Sequence, residues 1–171
     1  FPADPALPPR WAPALDHVRI ALARQVAELL EHDPGTRFGE DPEELHQLRV
    51  ATRRLRAILR AARDLLDPEW SEPLRAELSW LGSALGPVRD FDVLIERVRE
   101  EIEELEPGER RAAGRFLQLL DEDRDQAQTA MLEAMSEPRY NELLDRLEAA
   151  AAAPRAREAD VSLAEIAAAE F

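Results

Sequence analysis

Residues 45–63 read LHQLRVATRRLRAILRAAR, a stretch with six arginines and no acidic residue. The whole chain has 36 Asp and Glu against 22 basic residues. The remaining 16 arginines and 36 acids therefore give the rest of the protein a formal charge of −20, while this stretch carries +6. Acidic residues return directly on both sides of it, at Asp41, Glu43 and Glu44 and at Asp64. The stretch is thus an isolated cationic segment in an acidic protein.

A helical arrangement places most of these cations on one side. At about 100° per residue they fall in a stripe roughly 100° wide, next to an apolar face made mainly of leucines. The stripe contains His46, Arg49, Arg53, Arg56, Arg60 and Arg63. Arg54 lies off the stripe. Asp41 suits an N-cap and Pro42 a first turn, so the pattern predicts a helix over residues 42–66.

The sequence leaves two interpretations of the stripe open. Arginines on an amphipathic helix usually form a solvated face or pair with acids of other helices. Residues 45–63 contain no acid interleaved with these arginines. Arginines three or four residues apart repel one another by a few tenths of a kcal/mol per pair unless an anion lies between them. That anion is either a carboxylate from elsewhere in the protein or a ligand.

The composition favours an all-α fold in the class of antiparallel helical bundles. The chain is rich in Ala, Leu, Glu and Arg, with 5% aromatic residues and six glycines. The lack of cysteine excludes disulfides and thiolate metal sites. No run of 18 apolar residues and no signal-peptide pattern is seen, so we expect a cytoplasmic protein without a membrane span. Every basic side chain other than histidine is an arginine, whose planar guanidinium suits oxyanions.

The apolar periodicity divides the chain into three parts. Residues 1–13 hold five prolines and are expected to be a tail or linker, residues 14–153 a helical bundle, and residues 154–171 an alanine-rich connecting segment with one weak helix at 161–170. Within the bundle we expect helices at 14–31, 42–66, 68–85, 88–105, 109–136 and 138–153. The Pro-Gly and Gly-Pro pairs predict a loop at 32–39 and a bend or break of the helix at Gly86-Pro87.

A second informative stretch, WLGSALGPVRDFDV, lies at that expected break. Gly82 and Gly86 are four residues apart, so one helix face is bare and a neighbouring backbone or ligand can approach closely. Asp90 and Asp92 either cap the following helix or hold arginines of the stripe, and Arg89 is a candidate to join it. A capped helix start with a surface ion pair explains the same residues equally well.

Three motifs together resemble one protein family. They are His46-x-x-Arg49-Val50-x-x-Arg53-Arg54-x-Arg56, Leu85-Gly86-x-x-Arg89-Asp90-x-Asp92-Val93 and Ser136-x-x-Arg139-Tyr140-x-x-Leu143-Leu144. Over about residues 18–147 the chain resembles the CHAD family, the conserved histidine α-helical domain. The resemblance implies a helical domain that binds inorganic polyphosphate in a basic channel, in a family linked to bacterial polyphosphate granules and often accompanied by a CYTH triphosphatase domain. It implies that the ligand-facing groups are His46, Arg49, Arg53 and Arg56, with Arg89 beside them.

The chain departs from the family pattern in one respect. The family generally has two similar helical halves, each with its own basic helix, that face each other across a pore. Here one such helix occurs, and no histidine follows His46. The chain therefore resembles the N-terminal half of a two-bundle domain. We expect a second half or another copy to supply the opposite wall of the pore.

The sequence thus predicts a polyphosphate-binding module that is not an enzyme. Arginines one helical turn apart can follow a phosphate chain with bidentate contacts, whereas the acidic remainder disfavours duplex nucleic acid. One rival hypothesis is a helical scaffold whose arginine row pairs with carboxylates. The other is an enzyme acting on polyphosphate or nucleotides, with Asp90 and Asp92 as its candidate groups. We expect no catalytic residue, cofactor or metal, because Glu43-x-x-His46 lacks the second copy of a di-iron site and no P-loop is present.

Overall fold

The computed structural model describes residues 8–39 and 41–157, which form five α-helices. They are α1 Ala14–Phe38, α2 Pro42–Ala61, α3 Pro68–Glu103, α4 Pro107–Ser136 and α5 Pro138–Ala152. Within these ranges the extended pairing is limited to an isolated bridge between Leu66 and Ala156. The all-α prediction is confirmed, and the helix predicted at 161–170 lies outside the described residues.

The helices pack around one core. α1 lies against α2, α2 against α3 and α3 against α4 through short connections, and α5 packs back on α1. The core takes one apolar stripe from each helix, mainly leucines, with methionines from α4. Its fully buried members include Leu22, Leu29, Leu48, Leu55, Leu59, Leu74, Leu78, Leu81, Leu85, Met131, Met135, Tyr140, Leu143 and Leu147. Each buried side chain of this size stabilises the bundle by about 1.5–3 kcal/mol relative to exposure, so these stripes fix how the helices face one another.

The start of α2 agrees with the prediction, but its end does not. Asp41 caps the helix, its carboxylate accepting a hydrogen bond from the Glu43 backbone N–H at 2.9 Å. The helix ends at Ala61, not at residue 66. Leu66 is fully buried after the turn, so its apolar side chain reaches the core without a continuous helix.

Backbone pairing with the segment after α5 holds this turn. The Asp67 N–H donates to the Arg155 carbonyl at 3.1 Å, and the Arg157 N–H donates to the Leu65 carbonyl at 2.9 Å. The first bond uses the Asp67 N–H, which in a helix continued through Leu66 would donate to the Arg63 carbonyl. The sequence pattern extended the helix too far because the competing partners lie about 90 residues away in the chain.

The predicted loop at 32–39 is helical. α1 continues through Pro34 and ends at Phe38, and the following Gly39 has a left-handed φ of +70°. Pro34 is exposed. The Asp33 carboxylate accepts hydrogen bonds from Arg37 within α1 and from the buried Tyr140 hydroxyl of α5. These contacts offset the roughly 3 kcal/mol that a proline costs inside a helix.

His32 also differs from the sequence expectation of an isolated surface residue. Its ring is 19% exposed, and its Nδ1 lies 2.8 Å from Glu44 Oε2 at the start of α2. A Cβ atom on Gly35 would lie 2.5 Å from Glu44 Cγ, so the glycine leaves the space through which Glu44 reaches His32. The Pro-Gly pair is therefore a packing feature of α1, not its end.

The break expected at Gly86-Pro87 does not occur, because α3 runs as one helix of 36 residues. Leu81, Leu85 and Val88 are buried with unbroken helical spacing across the pair, while Pro87 is exposed. Burial of the apolar stripe on both sides outweighs the lost backbone hydrogen bond. Within the described ranges, none of the five helices combines the length and apolarity needed to cross a membrane.

Candidate anion-binding site

The cationic side of α2 faces a groove of about 640 Å³ between α2 and α3. We call it the arginine groove. It is lined by Arg53, Arg56, Ala57, Arg60, Glu72, Arg75, Ala76 and Ser79. The structure thus brings together three of the predicted residues on one wall of a single groove.

Arg53, Arg56 and Arg60 are exposed and lack an acidic partner in the part of the chain that the structure describes. No described carboxylate lies within 4.0 Å of their guanidinium groups. Their spacing of three and four residues keeps them adjacent on α2, where like charges repel unless an anion lies between them. The arginine groove therefore presents cations that the described protein does not neutralise.

Arg49, one turn earlier, is anchored by α3. Its Nη1 donates to the Gly86 carbonyl at 2.9 Å and lies 3.3 Å from Asp90 Oδ1. A Cβ atom on Gly86 would lie only 3.1 Å from the same nitrogen. The group that approaches this glycine is a side chain, not the neighbouring backbone or ligand expected from the sequence. One of the two open roles of Asp90 is confirmed, because it contacts an arginine of the stripe. The side chain of Arg49 remains 38% exposed.

Arg54 lies on the other side of α2. It lines a separate groove of about 360 Å³ between α1 and α2, together with His17, Ile20 and Ile58. This agrees with the helical projection, which places Arg54 off the stripe. Arg54 can therefore serve as a control for Arg53 and Arg56, because it is an exposed arginine of the same helix that lies outside the arginine groove.

The two ends of the predicted stripe differ. His46 lies in the second turn of α2, half-buried, and has no hydrogen bond or ion pair among the described residues. Arg63 was expected to continue the helical stripe, but α2 ends at Ala61. Arg63 is instead an exposed residue of the following turn, with its Nε 3.7 Å from Asp64 Oδ1.

Arg89 does not line the arginine groove. It lines a second groove, of about 680 Å³, between the start of α2 and the facing parts of α3 and α4. Most of the charged residues in that groove are acidic. Arg49 contacts Gly86 and Arg56 lies near Gly82, so α2 and α3 run antiparallel. Arg89, three residues beyond Gly86, is therefore about level with His46 of α2.

Asp92 has a different role from those considered from sequence. Its carboxylate accepts a hydrogen bond from Arg124 Nε of α4 at 2.8 Å, and its side chain is only 9% exposed. It lies in the middle of α3, so it caps no helix. Asp92 therefore joins α3 to α4 and holds no arginine of the stripe.

Sequence reasoning missed the wall of the arginine groove that α3 supplies. Arg75, Ser79, Gly82 and Gly86 are spaced by four, three and four residues, which places them on one face of a helix. That spacing was a usable signal. The partner of this face, however, is set by the packing of α3 against α2.

The third motif stabilises the fold. The Arg139 guanidinium forms two hydrogen bonds with the Glu77 carboxylate, at 2.6 and 3.2 Å, and lies 4.3 Å from the Trp80 ring centroid. The hydrogen bond from Arg139 lowers the pKa of Glu77 below its ordinary value. Arg139 thereby ties α5 to α3, away from the residues that line the arginine groove.

Comparison with known proteins gives a consistent set of matches. The sequence model of the CHAD domain family matches residues 20–171. Two uncharacterized Mycobacterium tuberculosis proteins, from strains CDC 1551 and H37Rv, are each 34% identical over 146 residues, which is 84% of this chain and 28% of the relative. The chain therefore spans about a quarter of the length of the curated relatives it matches.

Two solved structures are also similar. PptA from Streptomyces chartreusis has 26% identity and a TM-score of 0.74, over 86% of this chain and 53% of that one. The CHAD domain from the plant Ricinus communis has 26% identity and a TM-score of 0.65, over 91% and 50%. The chain spans about half of each solved structure.

Proposed function

The chain belongs to the CHAD family, and from that premise we propose that it binds inorganic polyphosphate in the arginine groove. CHAD domains are associated with polyphosphate binding in related proteins. The observation that carries the proposal is that Arg53, Arg56 and Arg60 share one groove without a carboxylate partner among the described residues. Unpaired guanidinium groups in a row are suited to a ligand with many phosphate oxygens.

The dimensions of α2 support an extended ligand. His46 and Arg60 are 14 residues apart, which corresponds to about 21 Å along a helix that rises 1.5 Å per residue. Arg49, Arg53 and Arg56 lie between them, so a phosphate chain along this line meets a cation at about every turn. Arg63 lies beyond the Arg60 end of the line, and Arg89 lies beside the His46 end in the second groove. Both would contact only a chain that extends past the arginine groove.

We propose binding without catalysis. An enzyme acting at this site needs a general base or metal-binding carboxylates beside the arginines. The two candidates from the sequence are both ion-paired, Asp90 with Arg49 and Asp92 with Arg124. Each of the two carboxylates is thus already in contact with a guanidinium group.

The proposed function extends to the assembly. The matched structures are about twice as long as the aligned region, and a groove between two helices leaves one side of a bound polymer uncovered. We propose that a second half or another copy of this chain covers the open side of the arginine groove. Association with polyphosphate granules would follow from binding the polymer itself.

Isothermal titration with short-chain polyphosphate tests the proposal. Arg53→Ala and Arg56→Ala should each weaken binding by about 1–3 kcal/mol, because each removes charge-assisted hydrogen bonds to phosphate. Arg54→Ala removes the same charge from the same helix outside the groove and should change binding by less than about 0.5 kcal/mol. Unchanged affinity in the Arg53→Ala/Arg56→Ala double variant would exclude this site and favour the scaffold hypothesis.

A further inference from the structure

The α3 side of the arginine groove also carries a cation, and this cation forms an ion pair with a carboxylate of the same helix. Arg75 lines the groove opposite the α2 arginines. Its Nη2 lies 2.7 Å from Oε2 of Glu72, one turn earlier on α3. The two side chains are 36% and 50% exposed. Arg75 thus differs from Arg53 and Arg56, which have no described carboxylate partner.

Glu72 is the single acidic residue among those that line the arginine groove. Its charge opposes any anion that enters, and its contact occupies one edge of the Arg75 guanidinium. A partly exposed ion pair three residues apart on a helix contributes only a few tenths of a kcal/mol. Charge-assisted hydrogen bonds from arginine to phosphate are stronger than that. A phosphate chain in the groove can therefore displace Glu72 from Arg75.

We propose that Arg75 is a further polyphosphate contact and that Glu72 is an internal competitor that lowers the affinity of the groove. This inference rests on the proposed function. Glu72 occupies Arg75 when the groove is empty, so the ligand must exchange one ion pair for another at this position. A polymer that contacts several arginines makes that exchange once and keeps its other contacts.

The competitor role predicts that the two partners have opposite effects on binding. Removing the Glu72 charge should free Arg75 and remove repulsion, so that binding tightens. Removing Arg75 should weaken binding. If the ion pair between Glu72 and Arg75 only stabilises α3, both substitutions should lower the thermal stability slightly. Neither should then tighten binding.

Salt dependence gives a second readout. In wild-type protein the contact between Arg75 and phosphate replaces an internal ion pair, whereas in Glu72→Gln it replaces only solvent and counterions. The variant should release about one more counterion on binding. Its plot of log affinity against log salt should therefore be steeper by roughly 0.7, the value per phosphate contact for single-stranded polyanions.

The experiment measures short-chain polyphosphate binding at several salt concentrations for wild type, Glu72→Gln, Arg75→Ala and the double variant. Glu72→Gln should bind about three- to tenfold more tightly and Arg75→Ala at least about fivefold more weakly. In the double variant the steeper salt slope should be lost. Glu101→Gln and Arg97→Ala control for net charge. Both residues are exposed on α3 and line neither the arginine groove nor the groove that contains Arg89. Circular dichroism melting checks that each variant folds.

Each outcome has a distinct meaning. If wild-type protein does not bind polyphosphate, the proposed function and this inference both fail. If wild type binds and Arg53→Ala weakens binding, but Glu72→Gln and Arg75→Ala match wild type, only this inference is overturned. Equal tightening by Glu72→Gln and Glu101→Gln also overturns it, because the gain would then reflect net charge alone.

Discussion

Individual arginines in this protein have different surroundings, although the sequence shows the same cation at each position. Arg139 is held by two hydrogen bonds to Glu77 and stabilises the packing of α5. Arg49 donates to a backbone carbonyl of α3. Arg53 and Arg56 face open space in a groove without described acidic partners. Within residues 8–39 and 41–157, the binding candidates are distinguished by having no carboxylate neighbour, which residue type cannot show.

Tyr140 permits a test at the residue scale, because it is the one tyrosine in the chain. Burial raises its pKa, and the hydrogen bond to Asp33 raises it further. The folded state therefore favours the neutral phenol, and this contribution to stability is complete below the ordinary pKa of about 10 and is lost as the pH rises above it. In an alkaline titration, tyrosinate absorbance should appear only together with loss of helical circular dichroism. Tyrosinate formation near pH 10 in a fully helical protein would contradict the buried hydrogen bond.

A matched variant separates the hydroxyl from the ring. Tyr140→Phe keeps the buried ring but removes the hydrogen bond to Asp33, so it should lower the free energy of unfolding at neutral pH by about 1–2 kcal/mol. It should also abolish the tyrosinate signal.

At the scale of secondary-structure elements, the buried apolar face of a helix could be predicted from the sequence, whereas the ends of several helices could not. The apolar spacing of α2 predicted which of its faces is buried, since that spacing is a local property of the helix. Three errors came from local signals that tertiary contacts override, at Pro34, at Gly86-Pro87 and at the end of α2. In the first two cases the proline is exposed while neighbouring side chains are buried or bonded to another helix.

This interpretation of α3 predicts the effect of replacing Pro87. Pro87→Ala restores a backbone donor for the Ser83 carbonyl and removes a steric clash inside a continuous helix, so it should raise the free energy of unfolding by about 1–3 kcal/mol. Chemical denaturation measures the change. Pro68→Ala is the control, because a proline in the first turn lacks no helical hydrogen bond and its replacement should change stability by less than about 0.5 kcal/mol. A loss of stability in Pro87→Ala would mean that the helix requires a bend there.

At the scale of the whole molecule, a protein with a net charge of −14 presents a local cationic groove. Exposed charges are screened beyond about 8 Å at physiological salt, so the distant acids weaken the field in the arginine groove only slightly. A thin phosphate chain can enter the groove, whereas the broad face of duplex DNA would also meet the acidic surface.

This charge distribution predicts selectivity between polyanions. At equal salt and phosphate concentration, polyphosphate should bind more tightly than duplex DNA, and its affinity should fall steeply as salt increases, because several counterions are released. Titrations of both ligands at two salt concentrations check this. Comparable binding of DNA would indicate a general polyanion surface and would count against a groove fitted to a thin chain.

The sequence by itself determined the helical class, the apolar stripe of each helix, the cationic stripe on α2 and the family. These depend on composition, periodicity and motifs, which are local properties of the chain. Only the tertiary structure decided which cations share a groove and which are neutralised. It moved Arg63 off the helix, placed Arg89 in a separate acidic groove, and brought Arg75 and Glu72 to the arginine groove. The physical reason is that an ion pair or a groove wall requires two surfaces in contact, and the pairing of α2 with α3 is set by the packing of their buried leucines.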